Sequence, residues 1–163
     1  MADMKVYVWN CGGLRSTAAS LPKVMFFEKE FKSNFDAFFF IETHHKKFSE
    51  IPKTILRYQD THHIVQSPVS EGETHAGIIG LISKEYNIIS ETHHIQGRLM
   101  NVKIEHTVQK TTHNISPLYL YTNTNITRNW FQGVVNKLRL AHDEENHMIL
   151  GDFNSTMDLI KYR

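Results

Sequence analysis

The chain has 163 residues, of which 40% are hydrophobic and 21% charged, as expected for one soluble globular domain. The net charge of +1 excludes a strong overall attraction to nucleic acid or membrane, although a local basic cleft is compatible with that total. A single cysteine excludes an internal disulfide, and no apolar stretch has the length of a bilayer span or the flanks of a signal peptide. We therefore expect an intracellular protein, nuclear or cytoplasmic, without a membrane partner.

The first quarter of the chain predicts a strand, a helix and a second strand. Met4 to Trp9 predicts a strand that stops at NCGGLRS, where two glycines permit a tight turn. Ser20 is expected to cap a helix that runs to about Ser33, with Pro22 in its first turn. The apolar run Ala37 to Glu42 (AFFFIE) predicts a central strand that is buried on both faces.

The remainder of the chain predicts further strands and one more helix. Apolar residues repeat at helical spacing between Asn125 and His142. The order of elements predicts a mixed α/β domain in which helices cover a sheet, with no linker or internal repeat in residues 1–163. The predicted strands are His62 to Gln66, Gly77 to Ser83, Asn87 to His93, Arg98 to His106, Pro117 to Tyr121 and His147 to Asp152.

Four predicted strands end in polar residues of a kind that suits hydrolytic chemistry. The first ends at Asn10, the second at Glu42, a later one at Tyr121, and the last at Asp152 followed by Asn154. Polar groups collected at strand ends form the usual rim of an α/β active site. Carboxylate, amide and phenol groups suit an oxygen-loving cation and a phosphate.

Seven blocks of the chain resemble a known superfamily. In chain order they read VYVWNCGGLRS, FFFIETH, HAGIIGLIS, GRLMNVKI, LYLYTNTN, TRNWFQGVVNKL and MILGDFNST. Their order and spacing resemble the exonuclease–endonuclease–phosphatase superfamily, whose deoxyribonuclease-I-like fold is a four-layer α/β sandwich. The resemblance is strongest to the apurinic-type endonuclease domains of non-LTR retrotransposons and covers essentially the whole chain. It implies DNA as the partner, and a reverse transcriptase domain joined to this one in the full-length protein.

The resemblance implies catalytic roles for three of the strand-end residues. Glu42 would be the main ligand of Mg²⁺, with Mn²⁺ as the alternative ion. Asp152 would orient or help deprotonate the attacking water, and Asn154 would hold the scissile phosphate. The implied reaction is phosphodiester hydrolysis, in which a cation neutralises the phosphate and a positioned base activates water.

Three further residues take supporting roles in the resemblance. Asn10 would hydrogen-bond within the same constellation, Tyr121 would donate to a phosphate oxygen, and Arg98 would lie near the cleft and contact the substrate. Tyr121 is followed here by Thr-Asn-Thr, whereas the family has Ala-Pro-Asn, so a proline-fixed turn is missing. The family's Ser-Asp-His block, which supplies the catalytic histidine, has no match after Asn154. We therefore expect residues 1–163 to lack the C-terminal part of the domain, to leave the second sheet incomplete and to be inactive alone.

Simpler interpretations of the same residues stay open. Glu42 would pair with a neighbouring lysine, Asp152 and Asn154 would form an Asx-turn, Tyr121 would be a core tyrosine, and Arg98 would pair with an acid. At the level of function, the chain would then be a degenerate remnant that only binds nucleic acid or protein. A second alternative keeps the fold and changes the substrate to a phosphorylated lipid, an inositol phosphate or an RNA tail.

The tripeptide Thr-His-His follows an acid three times, and eleven histidines are many for this length. Adjacent strand residues point to opposite faces, so we do not expect a His-His pair to chelate one ion. Of the three acids, Glu42 alone ends a buried apolar strand, so we predict that it binds magnesium and that no histidine binds the ion with it. We expect the other two acids, Asp60 and Glu91, to be exposed to solvent. Three histidines are kept as candidates to line the cleft and contact DNA phosphates: His44, His45 and His75.

Overall fold

A computed structural model describes residues 4–15, 17–31, 35–120, 129, 132–134, 136 and 147–154. In this part of the chain eight strands form two four-stranded sheets. The helix predicted between Asn125 and His142 lies mostly outside the described residues, and those described within it are helical. No helix in the described ranges is long and apolar enough to cross a membrane.

The first sheet has the strand order β1-β2-β4-β3. Its strands are β1 (Val6–Asn10), β2 (Ala37–Ile41), β3 (His62–Ser67) and β4 (Ile78–Ser83). β1 and β2 are parallel, whereas β4 runs antiparallel to both of its neighbours. Every residue of β2 is buried, which confirms the central strand that its uninterrupted apolar run predicts.

The second sheet has the order β5-β6-β7-β8. Its strands are β5 (Tyr86–Ile95), β6 (Leu99–His106), β7 (Thr112–Tyr119) and β8 (His147–Asp152). β7 and β8 are parallel, and their register sets Tyr119 opposite Asp152.

The strand predicted from Pro117 begins at Thr112 in the structure. Its first half is hard to recognise in the sequence, because it carries polar residues that are nevertheless buried. Asn114 and Ser116 are buried on β7. The Ser116 hydroxyl accepts a hydrogen bond of 3.1 Å from Asn101 and lies 3.0 Å from His147 Nε2. These cross-strand partners satisfy the Ser116 hydroxyl, so this part of the strand can be buried without the apolar alternation by which a strand is recognised in a sequence.

The sheets pack face to face, and each has apolar groups on its outer face. Phe27 of helix α1 (Leu21–Phe31) packs on the outer face of the first sheet, with its ring 4.8 Å from Phe38 and 4.9 Å from Phe40 between centroids. Leu99, Leu118 and Leu120 cluster with the helical Val134 beyond the second sheet. The architecture is the four-layer α/β sandwich that the sequence predicts. The core between the sheets contains Ala37, Phe39, Ile41, Val65, Ile78, Ile82, Tyr86, Met100, Val102, Ile104, Ile115 and Tyr119.

Two local features differ from the sequence prediction. Ser20 is not the helix cap, because it belongs to a 3-10 turn (Ala18–Ser20) that leads into α1, and Thr17 occupies the cap position. A short helix α2 (Lys53–Leu56), flanked by 3-10 turns, connects β2 and β3 and has no counterpart among the predicted elements. Ile55 anchors it by full burial in the cluster beneath α1.

Candidate active site

Glu42 is the first residue beyond β2 and has an unusual backbone conformation. Its φ is 58°, and that of His44 is 60°, in the left-handed region that non-glycine residues seldom adopt. Gly13 N donates to the Glu42 carbonyl at 2.7 Å, and His44 N donates to the carbonyl of Ala76 at 2.7 Å. The surrounding loops therefore hold a conformation that costs about 1–3 kcal/mol per residue, and such strain is typical of functional sites.

The left-handed loop separates His44 from its neighbour His45. His45 is fully buried, with Nδ1 2.6 Å from the Thr43 hydroxyl and Nε2 3.1 Å from Gln66 Oε1. Burial is the main cause that lowers the pKa of His45 to about 4, so its ring is neutral at pH 7. His45 is a structural residue of the interior and does not line the site.

His44 and His75 lie beside Glu42. His44 Nε2 is 3.4 Å from Glu42 Oε1, and the rings of His44 and His75 are 4.9 Å apart and nearly perpendicular. One ligand atom from each of the three residues lies within 4.8 Å of the others. Burial lowers the pKa of His44, although the Glu42 carboxylate opposes this shift. The sequence predicts no histidine beside Glu42, but the structure places two there. Strand alternation does not apply, because Glu42 and His44 lie beyond the end of β2.

Asp152 lies at the end of β8, where both of its carboxylate oxygens are held. Asn10 Nδ2 donates to Oδ2 at 2.8 Å, and the backbone N–H of Asn154 donates to Oδ1 at 3.0 Å. Asn154 Nδ2 in turn donates to the carbonyl of Leu120 at 2.8 Å. Asp152 and Asn154 thus form the Asx-turn of the simpler interpretation, and Asn10 donates to the same carboxylate, which is compatible with the predicted constellation. The Asn10–Asp152 bond joins the first sheet to the second.

Tyr119 is a member of the site that the sequence analysis missed. Burial is the main cause that raises the pKa of its phenol to about 12; the charge of Glu42 and the hydrogen bond that the hydroxyl donates to it also raise this pKa. The charge of Asp152 raises it further, and Arg98 opposes the shift. Tyr119 is thus hydrogen-bonded to Glu42, and the strand register sets it opposite Asp152. The sequence offers a signal for it, because Tyr119 and Tyr121 are two residues apart in the predicted strand Pro117 to Tyr121 and would share one face of that strand.

Arg98 lies just before β6 and is 6% exposed. Its Nε is 3.3 Å from both carboxylate oxygens of Glu73, and its Nη2 donates to the carbonyl of His75 at 2.9 Å. The guanidinium carbon is 5.3 Å from the centroid of the Tyr119 ring. Arg98 thus pairs with an acid, as its simpler interpretation predicts, and positions Tyr119 and the loop that carries His75.

The other residues named from the sequence lie away from the site or outside the described residues. Asp60 and Glu91, the acids before the other two Thr-His-His sequences, are exposed as predicted. Tyr121 lies outside the described residues. The lysines that follow Glu42 are exposed, and its hydrogen bonds are instead to His44 and Tyr119.

Comparisons with known proteins bear on the fold. No protein-family model matches the chain, and no curated protein matches its sequence. TDP2 from C. elegans has a TM-score of 0.64 at 15% identity, over 94% of this chain and 48% of that one. D. rerio TDP2 complexed with single-strand DNA product has a TM-score of 0.64 at 12% identity, over 94% of this chain and 61% of that one. An endonuclease/exonuclease/phosphatase family protein from Bacteroides thetaiotaomicron has a TM-score of 0.67 at 10% identity, over 95% of this chain and 65% of that one.

The chain therefore spans about half the length of the C. elegans TDP2 chain that it matches, at 48%. Identities of 10% to 15% show the fold alone. That fold is the deoxyribonuclease-I-like sandwich expected from the sequence.

Proposed function

We propose that this chain is part of a divalent-metal-dependent phosphodiesterase that nicks DNA. The observation that carries the proposal is the hydrogen bond from Asn10, which pairs with the residue before Glu42, to Asp152, which pairs with Tyr119. These contacts bring Glu42 and Asp152 to the same end of the sandwich. Four strand ends from two sheets supply these two residues, Asn10 and Tyr119. A rim of acids and amides at converging strand ends is the usual position of an α/β active site.

The donor set at Glu42 fits a divalent cation. Its carboxylate is 20% exposed and has imidazole nitrogens on one side. The ion, which the sequence predicts to be Mg²⁺ with Mn²⁺ as the alternative, would neutralise the phosphate and stabilise charge on the leaving oxygen.

Asp152 is the residue proposed to orient the attacking water. Donors from Asn10 and Asn154 fix its carboxylate plane, and each oxygen keeps a further lone pair for a water proton. Such fixed orientation contributes to rate because the geometry needed for attack exists before substrate binds. Asn154 uses one amide N–H on Leu120 and retains the second for a phosphate oxygen.

The finer assignment is the endonuclease domain of a non-LTR retrotransposon, and the seven sequence blocks support it. In this proposal residues 1–163 belong to one domain, which acts in the nucleus or cytoplasm and is joined to a reverse transcriptase. A Ser-Asp-His block would be encoded beyond codon 163. Sequencing the source transcript past that codon tests this part of the proposal. An open frame with both features supports it, and an immediate stop codon favours a remnant that only binds.

The function is tested with the longest polypeptide that the transcript encodes, stripped of metal by a chelator. Supercoiled plasmid, an RNA oligonucleotide and inositol phosphates are each incubated with Mg²⁺ or Mn²⁺ added back. We expect nicked plasmid only when a cation is present, and no phosphate release from the inositol phosphates. Plasmid binding without strand breaks under either cation would contradict the enzymatic proposal, and preferred hydrolysis of the other substrates would contradict DNA as the substrate.

A further inference from the structure

We propose that Glu42, His44 and His75 form a mixed carboxylate–imidazole site that selects a first-row transition-metal cation of the zinc class over Mg²⁺. The inference rests on the proposed function only in that Glu42 is the metal ligand in both. It adds two imidazole ligands, and it replaces the Mg²⁺ predicted from the sequence with a zinc-class cation as the ion that this site prefers.

The spacing of the three groups suits a tetrahedral cation. Ligand atoms about 2.0–2.1 Å from such an ion lie about 3.3–3.4 Å from one another. His44 Nε2 and Glu42 Oε1 already lie 3.4 Å apart. The ligand atom of the exposed His75 lies within 4.8 Å of the other two. A rotation of the His75 side chain would shorten its distances to Glu42 and His44 to the length that a tetrahedral ion requires. Three protein ligands with an open fourth position are typical of catalytic zinc sites rather than structural ones.

The loops that carry these ligands are tied together. The hydrogen bond from His44 N to the Ala76 carbonyl joins the Glu42 loop to the His75 loop. The His75 carbonyl is itself held by Arg98, which is paired with Glu73. Outer contacts of this kind fix the direction of metal ligands and contribute to affinity.

Close packing also fixes the His44 ring. A Cβ added to Gly13 would lie 3.2 Å from His44 Nδ1, so the ring rests against backbone that has no side chain. A ring held in one direction by its surroundings is suited to ligation.

The ligand chemistry decides the cation. Imidazole suits Zn²⁺ and the neighbouring first-row metals, whose affinity for nitrogen-containing sites exceeds that of Mn²⁺. Mg²⁺ instead requires oxygen ligands in octahedral geometry and gives up its waters reluctantly. Two nitrogens and one carboxylate therefore favour the zinc class.

The chain contains its own control sequence. Glu91-Thr92-His93-His94 repeats the Glu42 tetrapeptide on β5, and Glu91 Oε2 lies 4.0 Å from His93 Nε2. Those side chains are 36% and 41% exposed, and among the described residues they belong to no group of three potential ligands. The same four residues thus provide a matched site without the third ligand.

The test uses Co²⁺ as a spectroscopic probe of the metal-free polypeptide. We expect one equivalent of Co²⁺ to give the visible bands of a four- or five-coordinate nitrogen-containing site, which Zn²⁺ abolishes and millimolar Mg²⁺ does not. His44→Gln and His75→Gln should each weaken Co²⁺ binding by about 100-fold, whereas His93→Gln should leave it unchanged. Circular dichroism of each metal-free variant confirms folding.

Two results would overturn the proposal: Co²⁺ affinity unchanged in both His44→Gln and His75→Gln, or displacement of Co²⁺ by Mg²⁺ at equal concentration. If Co²⁺ binds as expected and no cation supports nicking, the proposed function fails and this site stands. If Mg²⁺-dependent nicking is intact while the two variants bind Co²⁺ like the parent, the site fails and the proposed function stands.

Discussion

Tyr119 contacts both halves of the candidate site, so its hydroxyl is the most informative single atom to remove. Tyr119→Phe keeps the ring beneath Arg98 and deletes the donor to Glu42. We expect a loss of about 1 kcal/mol in the free energy of unfolding, because the carboxylate loses a partly buried hydrogen bond. Urea unfolding measures it. Tyr7→Phe, at a side chain that is 40% exposed, is the control and should change little; an equal effect in both variants would contradict the bond.

His45 predicts a pH dependence of stability. Its pKa falls from 6.5 to about 4 on folding, so the unfolded chain binds the proton first as pH falls. Stability is therefore retained above pH 6.5 and lost between pH 6.5 and pH 4, by about 3 kcal/mol at most for this residue. His45→Gln should flatten the dependence in urea unfolding curves measured across this range. The exposed His93→Gln should not, and equal slopes in the two variants would contradict the assignment.

At the scale of the elements, the loop that positions Glu42 depends on Gly77. Gly77 has φ 101°, and a Cβ there would collide with the Thr43 hydroxyl oxygen. Gly72 has φ 86° but open space around it. Both Gly→Ala variants incur the same backbone cost of about 1 kcal/mol. Gly77→Ala should lose about 1–3 kcal/mol more in thermal unfolding because of the added steric clash; equal losses would show that the loop adapts.

Elements with a strong periodic or apolar pattern were predictable from the sequence, and the others were not. β2 is buried on both faces because a central strand has an uninterrupted apolar run. β8 matches its predicted bounds, although it is half-buried and stands last in its sheet among the described residues. The sequence predicts too short a β7, because Asn114 and Ser116 are polar residues that are nevertheless buried, with Ser116 hydrogen-bonded to Asn101 of β6. The short helix α2 is too brief to show a period.

At the scale of the whole molecule, the site exists only because the two sheets pack together. Asn10 and Asp152 are 142 positions apart and bond across the sheets. No local pattern shows that such residues touch; they were grouped because each follows or ends a predicted strand, and their individual roles came from the family resemblance. Glu42, Asn10, Asp152 and Asn154 could be named in that way. The contacts of His44 and Tyr119 with Glu42 depend on loop conformation and strand register, which single-sequence patterns do not specify.

We propose that Glu42 and Asp152 form a phosphodiesterase site. The most direct test of this proposal is plasmid nicking by variants of the two carboxylates. In the longest polypeptide encoded by the transcript, Glu42→Gln and Asp152→Asn should each slow cation-dependent nicking by at least about 100-fold, because each removes a charge used in the reaction. Asp60→Asn and Glu91→Gln, at exposed acids before the same Thr-His-His sequence, should nick at the parent rate. Undiminished nicking in Asp152→Asn or Glu42→Gln would contradict the claim.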